Sequence, residues 1–302
     1  MKLTILGCYA ATPRTFTNPT SQVLEIKNHI FLIDCGEGTQ VQLRRNKIKF
    51  SKIQHIFISH LHGDHCFGLV GLISTFRLLN REIDLHVYGP KGIKEIITLQ
   101  LKLSNSWTNY SLYFHELESK SSEIIYEDAK VTVETIPLNH RIYTNGFLFR
   151  EKPGERKLLI QKAQEFNIDV SLYNSLKKGK NVISEDGELI PNTEVTTDPA
   201  PVKSYAYCSD TAFYPEIVPQ IKGATVLYHE STFLDDKFEL AAPTKHSTAK
   251  QAAAIAKEAG VSQLLLGHYS TRYPNIEEFK EEASEIFPNC ELSDDGKVFV
   301  FE

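Results

Sequence analysis

Short apolar runs broken by polar residues organise this chain into alternating strands and helices. Leu3 to Gly7, Gln22 to Ile26, Ile30 to Asp34 and Leu85 to Tyr88 are of strand length and mostly apolar, as is His55 to Ser59. Residues 66 to 79 place Phe67, Val70, Leu72, Ile73, Phe76 and Leu79 at helical spacing, which predicts a buried helix. Val131 to Ile136, Ser204 to Cys208 and Gln263 to Gly267 read as further strands. An alanine-rich helix is predicted over Ala249 to Ala259. Thr248 and Gln251 stand at capping-box spacing before it and Gly260 stops it. Two strand-rich halves with helices outside predict an α/β protein built as a four-layer αββα sandwich.

The polar residues that follow the predicted strand His55 to Ser59 change the picture from fold to chemistry. His60, His62, Asp64 and His65 bring three imidazoles and a carboxylate into six positions, with Gly63 allowing a sharp turn. Imidazole nitrogens and carboxylate oxygens suit zinc-like cations, and alternate residues of a turning chain can face two neighbouring ions. Loops at strand ends are the common address of catalytic groups.

Composition agrees with an intracellular enzyme: the 302 residues are 41% hydrophobic and 24% charged, enough for a large core. The five cysteines, Cys8, Cys35, Cys66, Cys208 and Cys290, are odd in number and without paired spacing, which favours a reducing compartment. Cys66 and Cys208 are near candidate ligands in sequence and could reach the site. No apolar stretch approaches the roughly 18–20 residues that span a bilayer, and the first residues run straight into a strand, so a cytoplasmic protein with no membrane partner is expected. Internal repeats and low-complexity linkers are absent from the sequence.

The pattern His-x-His-x-Asp-His after a strand resembles the signature of the metallo-β-lactamase superfamily. Its binuclear members need three further ligands, and His140, Asp210 and His268 each follow an apolar run in the superfamily's order. The runs Asp34-Cys35-Gly36-Glu37-Gly38-Thr39-Gln40, His229-Glu230-Ser231-Thr232, His246-Ser247-Thr248 and His268-Tyr269-Ser270-Thr271-Arg272-Tyr273 narrow this further. Together they resemble the ribonuclease Z family, endonucleases that trim the 3′ trailer from precursor tRNA, over nearly the whole chain. The resemblance implies a single metallo-β-lactamase-type domain over 1–302, with an arm or exosite inserted at about 151–195 that grips tRNA. It implies two zinc ions per subunit, with manganese or iron as other metals, precursor tRNA as partner and a homodimer.

Under that resemblance His60, His62 and His140 hold one zinc, Asp64, His65 and His268 the other, and Asp210 bridges them. A metal-bound hydroxide attacks the phosphodiester, Asp64 takes its proton, and His246 stabilises the developing charge or protonates the leaving oxygen. Glu230 would orient His246, a surface salt bridge being the alternative, and Arg272 would hold a flanking phosphate. Gly36 and Gly38 would form either a phosphate cradle or a plain strand-to-helix turn. The Glu151 to Lys180 segment carries Lys152, Arg156, Lys157 and Lys162 among seven basic residues against four acids, while the rest of a chain of net charge −5 holds 26 basic and 34 acidic residues. A Lys-rich helix is expected at Arg156 to Phe166, and Arg44, Arg45, Lys47 and Lys49 form a second basic cluster. Two rival functions stand beside it: a hydrolase of a small phosphodiester or another small molecule on the same fold, and a non-catalytic RNA-binding member acting as a scaffold or chaperone.

Overall fold

The computed structural model describes residues 1–302. Two seven-stranded mixed sheets form the body. The first contains β1 (Lys2–Gly7), β2 (Ser21–Ile26), β3 (His29–Ile33), β4 (Ile53–Phe57), β5 (Leu85–Pro90) and β6 (Leu112–Leu117). The second contains β7 (Ile124–Glu127), β8 (Val131–Pro137), β9 (Asn145–Glu151), β10 (Ser204–Cys208), β11 (Val226–Glu230), β12 (Gln263–Gly267) and β13 (Cys290–Leu292). The last strand, β14 (Val298–Val300), returns to the first sheet, whose order is β14-β1-β2-β3-β4-β5-β6; the second runs β13-β12-β11-β10-β9-β8-β7.

Side-chain alternation explains why the sheets stack. Leu3, Ile5, Phe31, Ile33 and Phe57 face one buried cluster together with Phe147, Phe149, Tyr205 and Tyr207 of the second sheet. Phe57 meets Phe149 edge-on at 5.3 Å between ring centres, and Phe31 lies 5.5 Å from the same ring. The intervening Leu6, Leu32 and Ile56 face the other way, into a second cluster beneath α1 (Thr39–Arg45), α3 (Leu69–Leu78) and α4 (Ile93–Leu103); the one-turn helix α2 (Gly63–Cys66) precedes α3. On the far side α5 (Ala249–Ala259) and α6 (Glu277–Ser284) cover the second sheet, α5 with Ala252, Ala253, Ile255 and Ala256 buried. The result is the αββα sandwich expected from the strand pattern, and no helix is long and apolar enough to cross a membrane.

Most expected elements coincide with the observed ones, and α5 carries both halves of its capping box and a left-handed Gly260 at its end. The single helix expected over 66–79 is instead two, α2 and α3, because the chain turns at Gly68. A Cβ there would lie 2.0 Å from the Gly36 carbonyl oxygen, so this corner is packed backbone against backbone. The expected helix Arg156 to Phe166 is shorter, Ile160–Glu165, since Lys157 and Leu158 pair as a strand with Thr197 and Thr196.

Residues Glu151–Val202 form a compact unit of their own. It has a small core of Ala163, Ile168, Leu176, Val182, Ile190 and Val195, built from short helices and two-residue strands. This unit ends seven residues past the expected arm boundary, and its charge differs in sign from that of the Glu151 to Lys180 segment alone. The residues beyond Lys180 add Glu185, Asp186, Glu188, Glu194 and Asp198, so the unit holds seven basic and nine acidic residues.

Candidate metal centre

The candidate ligands arrive from the ends of five segments. His60 and His62 follow β4, Asp64 and His65 lie in α2, and His140, Asp210 and His268 come just after β8, β10 and β12. The His60 Nε2, His62 Nδ1 and His140 Nε2 atoms converge, 3.0 Å from His60 to His62 and 3.3 Å from His62 to His140. Asp210 Oδ2 stands 3.7 Å from the first of these and 3.9 Å from the last. On its other side, Asp210 Oδ1 is 3.2 Å from both His65 Nε2 and His268 Nε2, and Asp64 Oδ2 is 3.4 and 3.6 Å from the same two nitrogens. Two donor sets therefore share one carboxylate. Donors about 2.0–2.2 Å from a tetrahedral zinc stand roughly 3.3–3.5 Å apart, so these spacings fit a metal in each set.

The rings are also prepared chemically for metal. The Nε2 atoms of His65 and His268 are buried without any partner in hydrogen-bonding geometry, which a ligating role accounts for. Their Nδ1 atoms are occupied: His65 donates to Asp34 Oδ2 at 2.8 Å and His268 to the Thr232 hydroxyl at 2.8 Å. His140 Nδ1 donates to the Lys245 carbonyl at 2.9 Å, leaving Nε2 to face its neighbours. Fixing the outer nitrogen in this way sets the tautomer and aims the lone pair of the inner one. Burial pushes His60 well below the ordinary imidazole range and His140 down to about 4, so both present neutral rings. Burial opposes charge on His65 too, but Asp210, Asp64 and Asp34 outweigh it and raise its proton affinity. That carboxylate cluster calls for positive charge, which a divalent cation would supply.

Glu230 and His246 form a buried pair rather than a surface salt bridge. Glu230 is fully buried at the end of β11 and accepts from His246 Nδ1 at 2.8 Å, from the Thr211 and Thr232 amides, and from the Thr232 hydroxyl. Burial alone would lower His246, but the Glu230 carboxylate and its hydrogen bond hold it up at about 9. An imidazolium at neutral pH is therefore aimed at the donors, its ring stacked 5.3 Å from that of His268. Asp64 is held well below the usual carboxylate range, burial being outweighed by His65 and His268. A cleft of about 350 Å³ exposes Asp64, Asp210, His62, His246 and His268 to a substrate.

The remaining expected residues divide. Arg272 is exposed and lines a groove next to this cleft. Arg156 is committed within its own unit, donating to the Thr196 hydroxyl at 2.8 Å and pairing with Asp198. Lys157 and Lys162 are exposed and Lys152 is half-buried. Cys66 donates its thiol to the His62 carbonyl and Cys208 is a buried core residue, and the two donor sets contain neither. The phosphate cradle at Gly36 gives way to the plain turn: its amide donates to the Thr20 carbonyl, and a Cβ would lie 2.4 Å from the Asp64 carbonyl oxygen. The second basic cluster supplies Arg44, Lys47 and Lys49 to a groove of about 740 Å³ that contains none of the donors.

Sequence reasoning quoted Asp34 and Thr232 only within family motifs, without a role of their own, and passed over Arg141. Asp34 is fully buried, accepts from the Ser59 amide and hydroxyl, His65 and Tyr207, and keeps a left-handed φ of 55°. A carboxylate ending the apolar run Ile30 to Ile33 was the available signal, but its partners are remote in the chain.

Paired His/Asp donor sets at the strand ends of an αββα sandwich define a metallo-β-lactamase-fold protein. The B. subtilis metallo-β-lactamase fold protein YhfI aligns over 99% of this chain and 98% of its own, with a TM-score of 0.68 at 17% identity. Human tRNase Z, short form, covers 99% of both chains with a TM-score of 0.73 at 25% identity. The family model described as Anti-Pycsar protein Apyc1 matches residues 1–198. Ribonuclease Z of Bacteroides fragilis is 47% identical over 97% of this chain and 96% of its own length, and that of Cytophaga hutchinsonii 48% identical over 99% and 95%. The chain belongs to the ribonuclease Z family.

Proposed function

We propose that this protein is a zinc-dependent endoribonuclease that removes the 3′ trailer from precursor tRNA by hydrolysis, leaving a 3′-hydroxyl on the tRNA and a 5′-phosphate on the trailer. The observation that carries the reading is the pair of donor sets joined by Asp210, in a chain nearly half identical to ribonucleases Z over almost its full length. His60, His62 and His140 would hold one ion and Asp64, His65 and His268 the other. Two bound zinc ions supply a water of lowered pKa and neutralise phosphate charge. Manganese or another divalent cation suits the same nitrogen and oxygen donors.

The protein's own groups divide the remaining work. Asp64, a carboxylate in the cleft, accepts the proton of the attacking water. His246, kept protonated by Glu230, donates to the phosphate oxygens as charge builds or protonates the leaving 3′-oxygen. Arg272 and the exposed Lys157 and Lys162, with Lys152, would contact RNA phosphates, whereas Arg156 is better placed to hold its own unit together. A cytoplasmic homodimer completes the reading, the family relationship being its support.

One observation favours the rival reading, a small-diester hydrolase: the net negative charge of unit 151–202, an unusual balance for an RNA grip. End-labelled precursor tRNA, incubated with purified wild type and Asp64→Ala in zinc buffer beside bis(p-nitrophenyl) phosphate, separates the two. A cut at the trailer junction with a 3′-hydroxyl end, lost in Asp64→Ala, is expected. Intact tRNA with brisk turnover of the small diester would overturn the tRNA reading, and a 2′,3′-cyclic phosphate end would overturn the hydrolytic scheme.

A further inference from the structure

We propose that Arg141 holds a second phosphate of the substrate strand, in a groove that adjoins the metal cleft and is separate from the donor sets. This rests on the ribonuclease reading above. The groove, about 550 Å³, shares Thr12, Arg141, His246, Ser270 and Thr271 with the cleft, so a strand leaving the cleft can enter it without crossing a wall. Its chemistry differs sharply from that of the cleft. The cleft is lined by Asp64 and Asp210, whereas the groove has no carboxylate in its lining and carries Arg141 and Arg272, with hydroxyls from Thr12, Thr244 and Thr271. Cations and hydroxyl donors without a competing acid are what a phosphodiester needs once it has left the metals behind.

Arg141 is the arginine common to both spaces. It is exposed, follows His140 directly, and its guanidinium has neither a hydrogen bond nor an ion pair within the chain. The backbone that carries it is firmly held. The Asn139 carbonyl accepts from the Ala212 amide at 2.9 Å, and His140 Nδ1 donates to Lys245. Arg141 lines the cleft together with His62 and His246. Its guanidinium shares the groove with a second arginine and His246, and its planar fork can take two phosphate oxygens at once.

The test compares wild type, Arg141→Ala and Arg141→Lys on precursor tRNA and on bis(p-nitrophenyl) phosphate, which has no flanking phosphate. For Arg141→Ala, kcat/KM on precursor tRNA should fall about 10- to 100-fold, the range of a charge-assisted phosphate contact, against at most a few-fold on the small diester. The slope of log(1/KM) for precursor tRNA against log salt should become shallower by about 0.7–0.9, one phosphate contact. Arg141→Lys should recover part of the loss, since it keeps charge without the fork. Equal falls on both substrates would assign Arg141 to the metal centre and overturn the inference. A variant as active as wild type on precursor tRNA would overturn it alone, whereas a wild type that leaves precursor tRNA intact would remove the ribonuclease reading and this inference with it.

Discussion

Replacing Asp34 by asparagine, a change of one atom well outside the cleft, should loosen metal binding and weaken the fold together. Asp34 Oδ1 accepts from the Ser59 amide at 2.7 Å, and Oδ2 accepts from the Ser59 hydroxyl at 2.8 Å, from His65 Nδ1 at 2.8 Å and from the Tyr207 hydroxyl at 2.5 Å. An asparagine oxygen can occupy one of those positions only. Placed at Oδ2 it retains three donors but turns its NH2 onto the Ser59 amide, leaving two buried donors unsatisfied. Each costs about 1–3 kcal/mol, so the metal-free protein should lose roughly 2–6 kcal/mol. Hydrogen bonds to a charged acceptor are about twice as strong as neutral ones, so His65 is held less firmly as well. Loss of such a partner behind a metal ligand typically costs 10- to 100-fold in metal affinity.

Urea unfolding in chelator measures the first quantity, and competition with a fluorescent zinc indicator the second. Tyr207→Phe serves as control: it removes one of four donors to Asp34, leaves the carboxylate paired and the His65 bond in place, and should cost about 1.5–3 kcal/mol of stability with zinc affinity within a few-fold of wild type. An Asp34→Asn protein that binds zinc like wild type and unfolds within about 0.5 kcal/mol of it would refute the reasoning, because the carboxylate would then contribute nothing as an anchor.

Three further changes probe other joints of the structure. Glu230 raises His246 to about 9, so the imidazolium is present at neutral pH and is lost as pH rises through that value; Glu230→Gln should move the alkaline limb of the pH–kcat/KM profile acidward by at least about one unit, and because bound dications shift both limbs alike, coincident profiles would argue against the pair. Gly68→Ala drives a Cβ to 2.0 Å from the Gly36 carbonyl and should destabilise by about 3 kcal/mol, read as a lowered thermal midpoint, whereas an unchanged midpoint would mean that the corner yields freely. Replacing 151–202 by a short turn is feasible because Arg150 pairs directly with Ser204; zinc content and small-diester turnover should persist while precursor-tRNA kcat/KM falls at least about tenfold, and equal loss of both activities would contradict a separable RNA-binding role.

What could be read from the chain before folding depended on how local each interaction is. His60, His62, Asp64 and His65 were legible because the chemistry is packed into six positions, and α5 because its cap, its buried alanines and its terminal glycine are contiguous. Assigning His140, Asp210 and His268 needed the family pattern, since a single polar residue after a strand has many uses. Asp34 shows the limit of local reading. Its letter is conspicuous, yet its role is fixed by partners 25, 31 and 173 residues away, which only the packing of two sheets brings together. The break between α2 and α3 was hidden for the same reason, because Gly68 meets Gly36 across a corner and not along a helix.

Charge was misread differently. The segment ending at Lys180 looked basic, but the unit that folds around Ala163, Leu176 and Val195 continues to Val202 and takes in five more acids. Binding to a polyanion depends on where cations project and not on a sum over an assumed boundary, and Arg156 illustrates the point by spending its guanidinium on Thr196 and Asp198. Arg141 is the converse case. It belongs to no basic cluster, but it is unpaired and borders the metal cleft on a braced loop. A cation so placed can bias which phosphodiester enters the cleft, because its contact forms only when the strand is already aligned. Positioning of that kind contributes to catalysis where a more distant positive patch contributes only to capture.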